Sequence, residues 1–177
     1  MEKVLTRPIT LDRRMSEAIG VVLFAGLTAL GAFVRVPLPF TPVPLTFQVF
    51  FVLLSAMVLG SRAVLSQALY IILGLAGLPV FAGASGFAHL AGPTGGYILG
   101  FAAAAWTISK IKGAGIFRNI LALSAGLAVI YVLGSVQLGL WLKLGLLKTV
   151  QLGILPFIPG DLLKLAAVAA AVRLIKR

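Results

Sequence analysis

An aspartate and a lysine three residues apart, Asp161 and Lys164, stand in the stretch Pro156-Phe-Ile-Pro-Gly-Asp-Leu-Leu-Lys164, ahead of an apolar run that reaches Ile175. On a helix that spacing puts both side chains on one face. With Arg173 taken as the inner boundary of a membrane span, a rise of about 1.5 Å per residue sets Lys164 about 14 Å and Asp161 about 18 Å outward. Either charge at a bilayer centre costs about 2.5–3.5 kcal/mol on insertion scales, which pairing and a cavity would offset. Two readings stand. The pair can serve as the polar contacts of a binding site. Alternatively, Asp161 caps a helix after Pro-Gly and Lys164 snorkels to headgroups. The first is favoured, because Lys164 lies too far inside the helix for a cap motif to account for it.

Other polar groups carry less. Gln48, near the outer end of a second apolar segment, offers two donors and an acceptor. Tyr97 opens a fourth segment after Gly-Pro-Thr-Gly-Gly and suits either a ligand contact or an interfacial anchor. Arg35 is read as a headgroup anchor in preference to a site for an anion. His89 is the single histidine and there is no cysteine, so no multi-histidine or thiolate metal site is expected, and His89 is read as an ordinary loop residue.

The elements that must position these groups follow from composition. Of 177 residues, 60% are hydrophobic and 11% charged, against about 25% charged in an average soluble domain; the mean hydropathy is +1.12. Lipid is the solvent such a surface suits, and the length allows one transmembrane domain over 1–177. Six apolar segments run Glu17–Val36, Leu45–Leu59, Ala63–Leu78, Gly95–Ile111, Asn119–Leu142 and Gly160–Ile175. They are read as the helices of one compact all-α bundle. The net charge of +11 sits at segment ends, without a continuous basic face, which argues against nucleic acid and for headgroup contact with membrane lipid. The tail 1–16, the turn with Arg62, the linker from Lys110 to Arg118 and the C-terminus are basic, whereas the loops Pro37–Pro44 and Pro79–Thr94 lack Lys and Arg. Both termini are therefore expected in the cytoplasm. Lys143 and Lys148, on the expected outer side, depart from the rule.

The two uncharged loops are distinctive. Pro37–Pro44 has four prolines in eight residues, and fixed φ angles make it extended and stiff. The other alternates glycine with apolar and aromatic residues. Both can be plain connectors or the walls of an outer pocket. Small-residue patterns, Ala25-x-x-x-Ala29 and Gly96-x-x-x-Gly100-x-x-x-Ala104, let helix backbones approach closely. There is no phosphate-binding loop and no dinucleotide fingerprint. Of four acidic residues, Asp161 alone lies deep in the helical body, so neither a carboxylate dyad nor a Ser-His-Asp site is expected, and no enzyme is read here. Uphill transport by this chain would need energy from elsewhere.

Four stretches, in order, resemble the BioY family, the biotin-specific S components of energy-coupling-factor (ECF) transporters. They are Pro42-Val-Pro-Leu-Thr-Phe-Gln48, Gly74-Leu-Ala-Gly-Leu-Pro-Val-Phe-Ala-Gly83, Gly92-Pro-Thr-Gly-Gly-Tyr-Ile-Leu-Gly-Phe101 and Leu155-Pro-Phe-Ile-Pro-Gly-Asp-Leu-Leu-Lys164. The resemblance implies a six-helix S-component fold in a prokaryotic cytoplasmic membrane, with a biotin pocket near the outer face. It implies polar contacts from Asp161 and Lys164, with Tyr97 and Gln48 as further members, and Phe81, Gly83 and Tyr97 around the ligand's bicycle. Which ligand atoms Asp161 and Lys164 meet stays open. It also implies docking through Ala25 and Ala29 on a transmembrane coupling subunit, driven by two cytoplasmic ATPases. An autonomous small-molecule transporter and an S component for another vitamin remain alternatives.

Overall fold

The structure, a computed structural model, describes residues 12–175. Helix α1 (Arg13–Gly31) leads into a two-stranded hairpin, β1 (Arg35–Val36) and β2 (Leu45–Thr46). Helices α2 (Gln48–Leu59), α3 (Ala63–Leu75), α4 (Gly86–Ala91), α5 (Gly95–Ile111), α6 (Ile116–Leu142), α7 (Leu146–Gly153) and α8 (Ile158–Ile175) follow. The six apolar segments correspond to α1, α2, α3, α5, α6 and α8. Helix α1 begins at Arg13, inside the tail expected over 1–16, and residues 1–11 of that tail lie outside the described part. The first segment was expected to stay helical to Val36, but Phe47 donates its backbone N–H to both Gly31 and Val34 carbonyls, and the chain turns into the hairpin instead.

By length and composition α1 and α6 suffice to cross a membrane, as does the helical run from Gln48 to Leu75 if it is taken as one rod. It is not one rod. In a straight helix, residues 22 apart lie about 33 Å from each other, yet Gln48 Nε2 donates to the Tyr70 hydroxyl at 2.5 Å. The break falls at Gly60, whose φ of +63° is a left-handed conformation that glycine adopts without steric cost. A 3-10 turn over Gly60–Arg62 then reverses the chain, and α2 and α3 are antiparallel neighbours. Each is shorter than a bilayer core. Helix α2 packs against α1, α3, α5 and α8, so protein rather than lipid surrounds it. Non-helical backbone at its ends is tolerable there for the same reason.

Basic groups collect at one end of the bundle. Arg62 pairs with Glu17 at 2.6 Å, and the Lys112 ammonium donates to the Ala56 and Met57 carbonyls at the end of α2 at 3.0 and 2.7 Å. Arg118 reaches the Ile111 carbonyl, and Arg173 lines the same groove as Ile116. By the positive-inside rule this is the cytoplasmic end. The hairpin and the α3–α5 connection occupy the other. Lys143 and Lys148, on and beyond the far end of α6, remain the exception.

Close backbone approach between α5 and α6 holds the middle together. A Cβ on Gly96 would fall 2.2 Å from the Leu133 carbonyl oxygen, and one on Gly100 would fall 3.0 Å from the Ile130 Cα. These contacts explain the Gly96-x-x-x-Gly100 spacing. Gly26 on α1 has nothing within 4 Å. Gly96→Ala should therefore destabilise the fold by about 1–3 kcal/mol, as overpacking does, and lower the thermal midpoint in detergent. Gly26→Ala should leave that midpoint unchanged or slightly raised.

Candidate ligand-binding pocket

The polar pole of the outer half is built on the first turns of α8. Pro159 is tolerated at that start because first-turn N–H groups lack helical partners in any case. Asp161 and Lys164 follow on one face, both buried at 3% and 7% exposure. Lys164 Nζ donates to Asp161 Oδ1 at 2.7 Å and to the Thr46 carbonyl of β2 at 2.6 Å. The Tyr131 hydroxyl of α6 donates to Asp161 Oδ2 at 2.9 Å. Both carboxylate oxygens thus receive side-chain donors, so Asp161 is not spent on capping the helix, and Lys164 does not snorkel. Three elements, α6, α8 and the hairpin, meet at this pair.

A second chain of hydrogen bonds runs through the opposite wall. The Thr46 hydroxyl donates to Gln48 Oε1 at 3.2 Å, Gln48 Nε2 donates to the Tyr70 hydroxyl, and Tyr70 donates to the Val80 carbonyl at 3.1 Å. This chain ties β2, α2 and α3 to the α3–α5 connection. One amide hydrogen of Gln48 is left over for another acceptor. The Tyr97 hydroxyl is committed to the Gly153 carbonyl at 2.6 Å, and its ring packs edge-on against Phe157. Tyr97 is therefore a wall residue through its ring, and at 7% exposure it is no interfacial anchor.

Between these walls lies a cavity of about 380 Å³, roofed by the proline-rich loop through Leu38, Thr41, Pro42 and Val43. That volume falls in the range of small-ligand sites, which pair apolar walls with few polar groups. Phe81, Phe101 and Ile130 supply further apolar wall. Phe81 stacks on His89 with ring centroids 5.9 Å apart, and His89 Nε2 shares a hydrogen bond with the Thr94 hydroxyl at 3.0 Å. Burial lowers the His89 pKa from its ordinary value, which keeps the ring neutral near pH 7. Arg35 also faces the cavity and donates through Nη1 to the Ala82 carbonyl.

Of the residues singled out from sequence, Asp161, Lys164, Tyr97, Gln48 and Phe81 all line this cavity. Gly83 does not. It sits behind the wall with φ +88°, where a Cβ would fall 2.5 Å from Arg35 Nη1. Arg35 and His89, read as an anchor and a loop residue, both line it. Tyr131 and Thr46 were not anticipated. Tyr131 is one aromatic in a long apolar run, and Thr46 contributes its backbone carbonyl, for which sequence carries no signal. Ala25 and Ala29, expected as a docking pair, lie on α1 and do not line this cavity. Ala25 is 1% exposed and part of the bundle core, and Ala29 packs against that core. Their small size serves the contact of α1 with its neighbours. Among the described residues no cluster of His, Cys, Asp and Glu suits a metal ion.

Breaking a buried ion pair from one side typically costs about 3–5 kcal/mol, whereas replacing both partners is often close to neutral. Lys164→Met should accordingly lower the thermal midpoint of the ligand-free protein sharply. Asp161→Asn combined with Lys164→Met should recover most of the loss, as read in a double-mutant cycle by thermal unfolding in detergent.

The arrangement has relatives. The family model described as the BioY family matches residues 3–177. A Pyrococcus horikoshii protein named "Probable biotin transporter BioY" is 48% identical over 87% of this chain and 93% of its own length. A Thermotoga maritima protein named "Biotin transporter BioY" is 41% identical over 88% of this chain and 92% of its own. A crystal structure titled as the S-component for biotin from an ECF-type ABC transporter superposes with a TM-score of 0.86, at 23% identity, over 96% of this chain and 95% of that one. That last likeness concerns the fold alone. With a matching family model over nearly its whole length, the chain belongs to the BioY family.

Proposed function

We propose that this chain is the biotin-capturing membrane subunit of an ECF-type uptake transporter. The observation that carries the reading is a single buried charge pair, Asp161–Lys164, facing a small, mostly apolar cavity at the outer end of the bundle. Biotin has complementary chemistry: a neutral ureido ring with N–H donors and a carbonyl acceptor, an apolar thioether bicycle and a carboxylate tail. Asp161 can accept ureido N–H bonds, since each carboxylate oxygen takes more than one donor. Phe81, Tyr97 and Phe157 can enclose the bicycle. The names carried by the relatives agree with this ligand.

The sequence has no phosphate-binding loop, so energy for accumulation comes from partners: a transmembrane coupling subunit and two cytoplasmic ATPases. The coupling subunit docks along α1, the helix that carries Ala25 and Ala29. Its exposed face carries Ile19, Val22, Leu23 and Leu30.

Purified protein in detergent should bind biotin with one-to-one stoichiometry, and neither thiamine nor riboflavin should compete. Asp161→Asn should weaken biotin binding by roughly 10- to 100-fold, the worth of a charge-assisted hydrogen bond. Equal binding of the three vitamins, or wild-type affinity in Asp161→Asn, would reject this assignment.

A further inference from the structure

The charges that face the cavity do not balance. Lys164 and Asp161 neutralise one another, and His89 is held neutral by burial. Arg35 also lines the space, and among the described residues it forms no ion pair with a carboxylate. The groups lining the cavity therefore sum to one surplus positive charge, and it sits on Arg35.

Building on the biotin reading above, we infer that Arg35 is the carboxylate-recognition residue of the pocket, so that the ligand binds with its ureido ring at Asp161 and Tyr131 and its acidic tail at Arg35. Lys164 is the poorer partner for that tail. Its ammonium already serves Asp161 Oδ1 and the Thr46 carbonyl, and a second carboxylate there would crowd two anions around one cation in a buried place. Arg35 stands at the exposed rim, where an ionised group keeps part of its hydration and the desolvation cost is smaller. The guanidinium has five donors in a planar fork suited to a carboxylate, and one of them is engaged, with the Ala82 carbonyl. That bond and the bare face of Gly83 fix its plane. A Cβ at Gly83 would lie 2.5 Å from Nη1, 3.0 Å from Cζ and 3.1 Å from Nη2, so the glycine is the seat on which the guanidinium lies.

The test compares equilibrium binding of biotin and of biotin methyl ester, which lacks the negative charge, to purified wild-type protein and three variants. Wild type should prefer biotin over the ester by roughly 10- to 100-fold. Arg35→Gln should abolish that preference by weakening biotin far more than the ester, and an unchanged thermal unfolding midpoint reports an intact fold. Arg35→Lys should retain part of the preference, and Gly83→Ala should lose part of it by unseating the guanidinium. Equal wild-type affinity for acid and ester would overturn the inference. So would an equal loss for both ligands in Arg35→Gln, because Arg35 would then act only as a strut between the hairpin and the following loop. Failure of wild type to bind biotin at all would instead bring down the biotin reading, and the orientation with it.

Discussion

An ion pair buried in a bilayer-spanning bundle is the constraint around which the outer half is arranged. Asp161 and Lys164 are 2.7 Å apart, and each is a liability that water would otherwise relieve. In the membrane no water stands outside the helix, so the remaining lone pairs and protons must find partners within the protein. Tyr131 answers Asp161, and the Thr46 carbonyl answers Lys164. The second of these has a structural consequence: it fastens the β1–β2 hairpin, and with it the proline-rich roof, to α8. Loop position and charge neutralisation are one problem with one solution.

The same economy runs along the second wall. Thr46 also donates to Gln48, Gln48 to Tyr70, and Tyr70 to Val80. Each of these three side chains is held by a neighbour on another element. Small residues elsewhere make this possible by letting α5 and α6 touch backbone to backbone, which brings Tyr97 of α5 and Tyr131 of α6 to the same cavity. Preorganisation of this kind lowers the entropic cost of capturing a ligand.

Much of this was legible in the sequence. Hydropathy marked the six long apolar helices and their approximate ends. The Pro-Gly-Asp-x-x-Lys spacing gave the polar pole. Rotation of helices about their axes was not legible. Beyond Glu17, α1 has Thr28 as its one polar side chain, so nothing in the sequence marks which side of it turns inward. Helix α7, eight residues with Lys148 inside it, is far below the length of a span and falls between the fifth and sixth apolar segments. Tyr131 and Arg35 are pocket residues because of chain crossings far apart in sequence: Arg35 pairs in the hairpin with Thr46 and meets Ala82 across another connection. Such convergence leaves no local trace.

The central claim is that the Asp161–Lys164 pair exists to face a ligand. A structure of the purified protein determined with biotin present tests it most directly. The account predicts the bicycle against Tyr97 and Phe157 beneath the proline-rich roof, with ureido atoms within hydrogen-bond distance of Asp161. Biotin bound elsewhere on the bundle, or an empty cavity at saturating biotin with the pair facing no ligand, would contradict it.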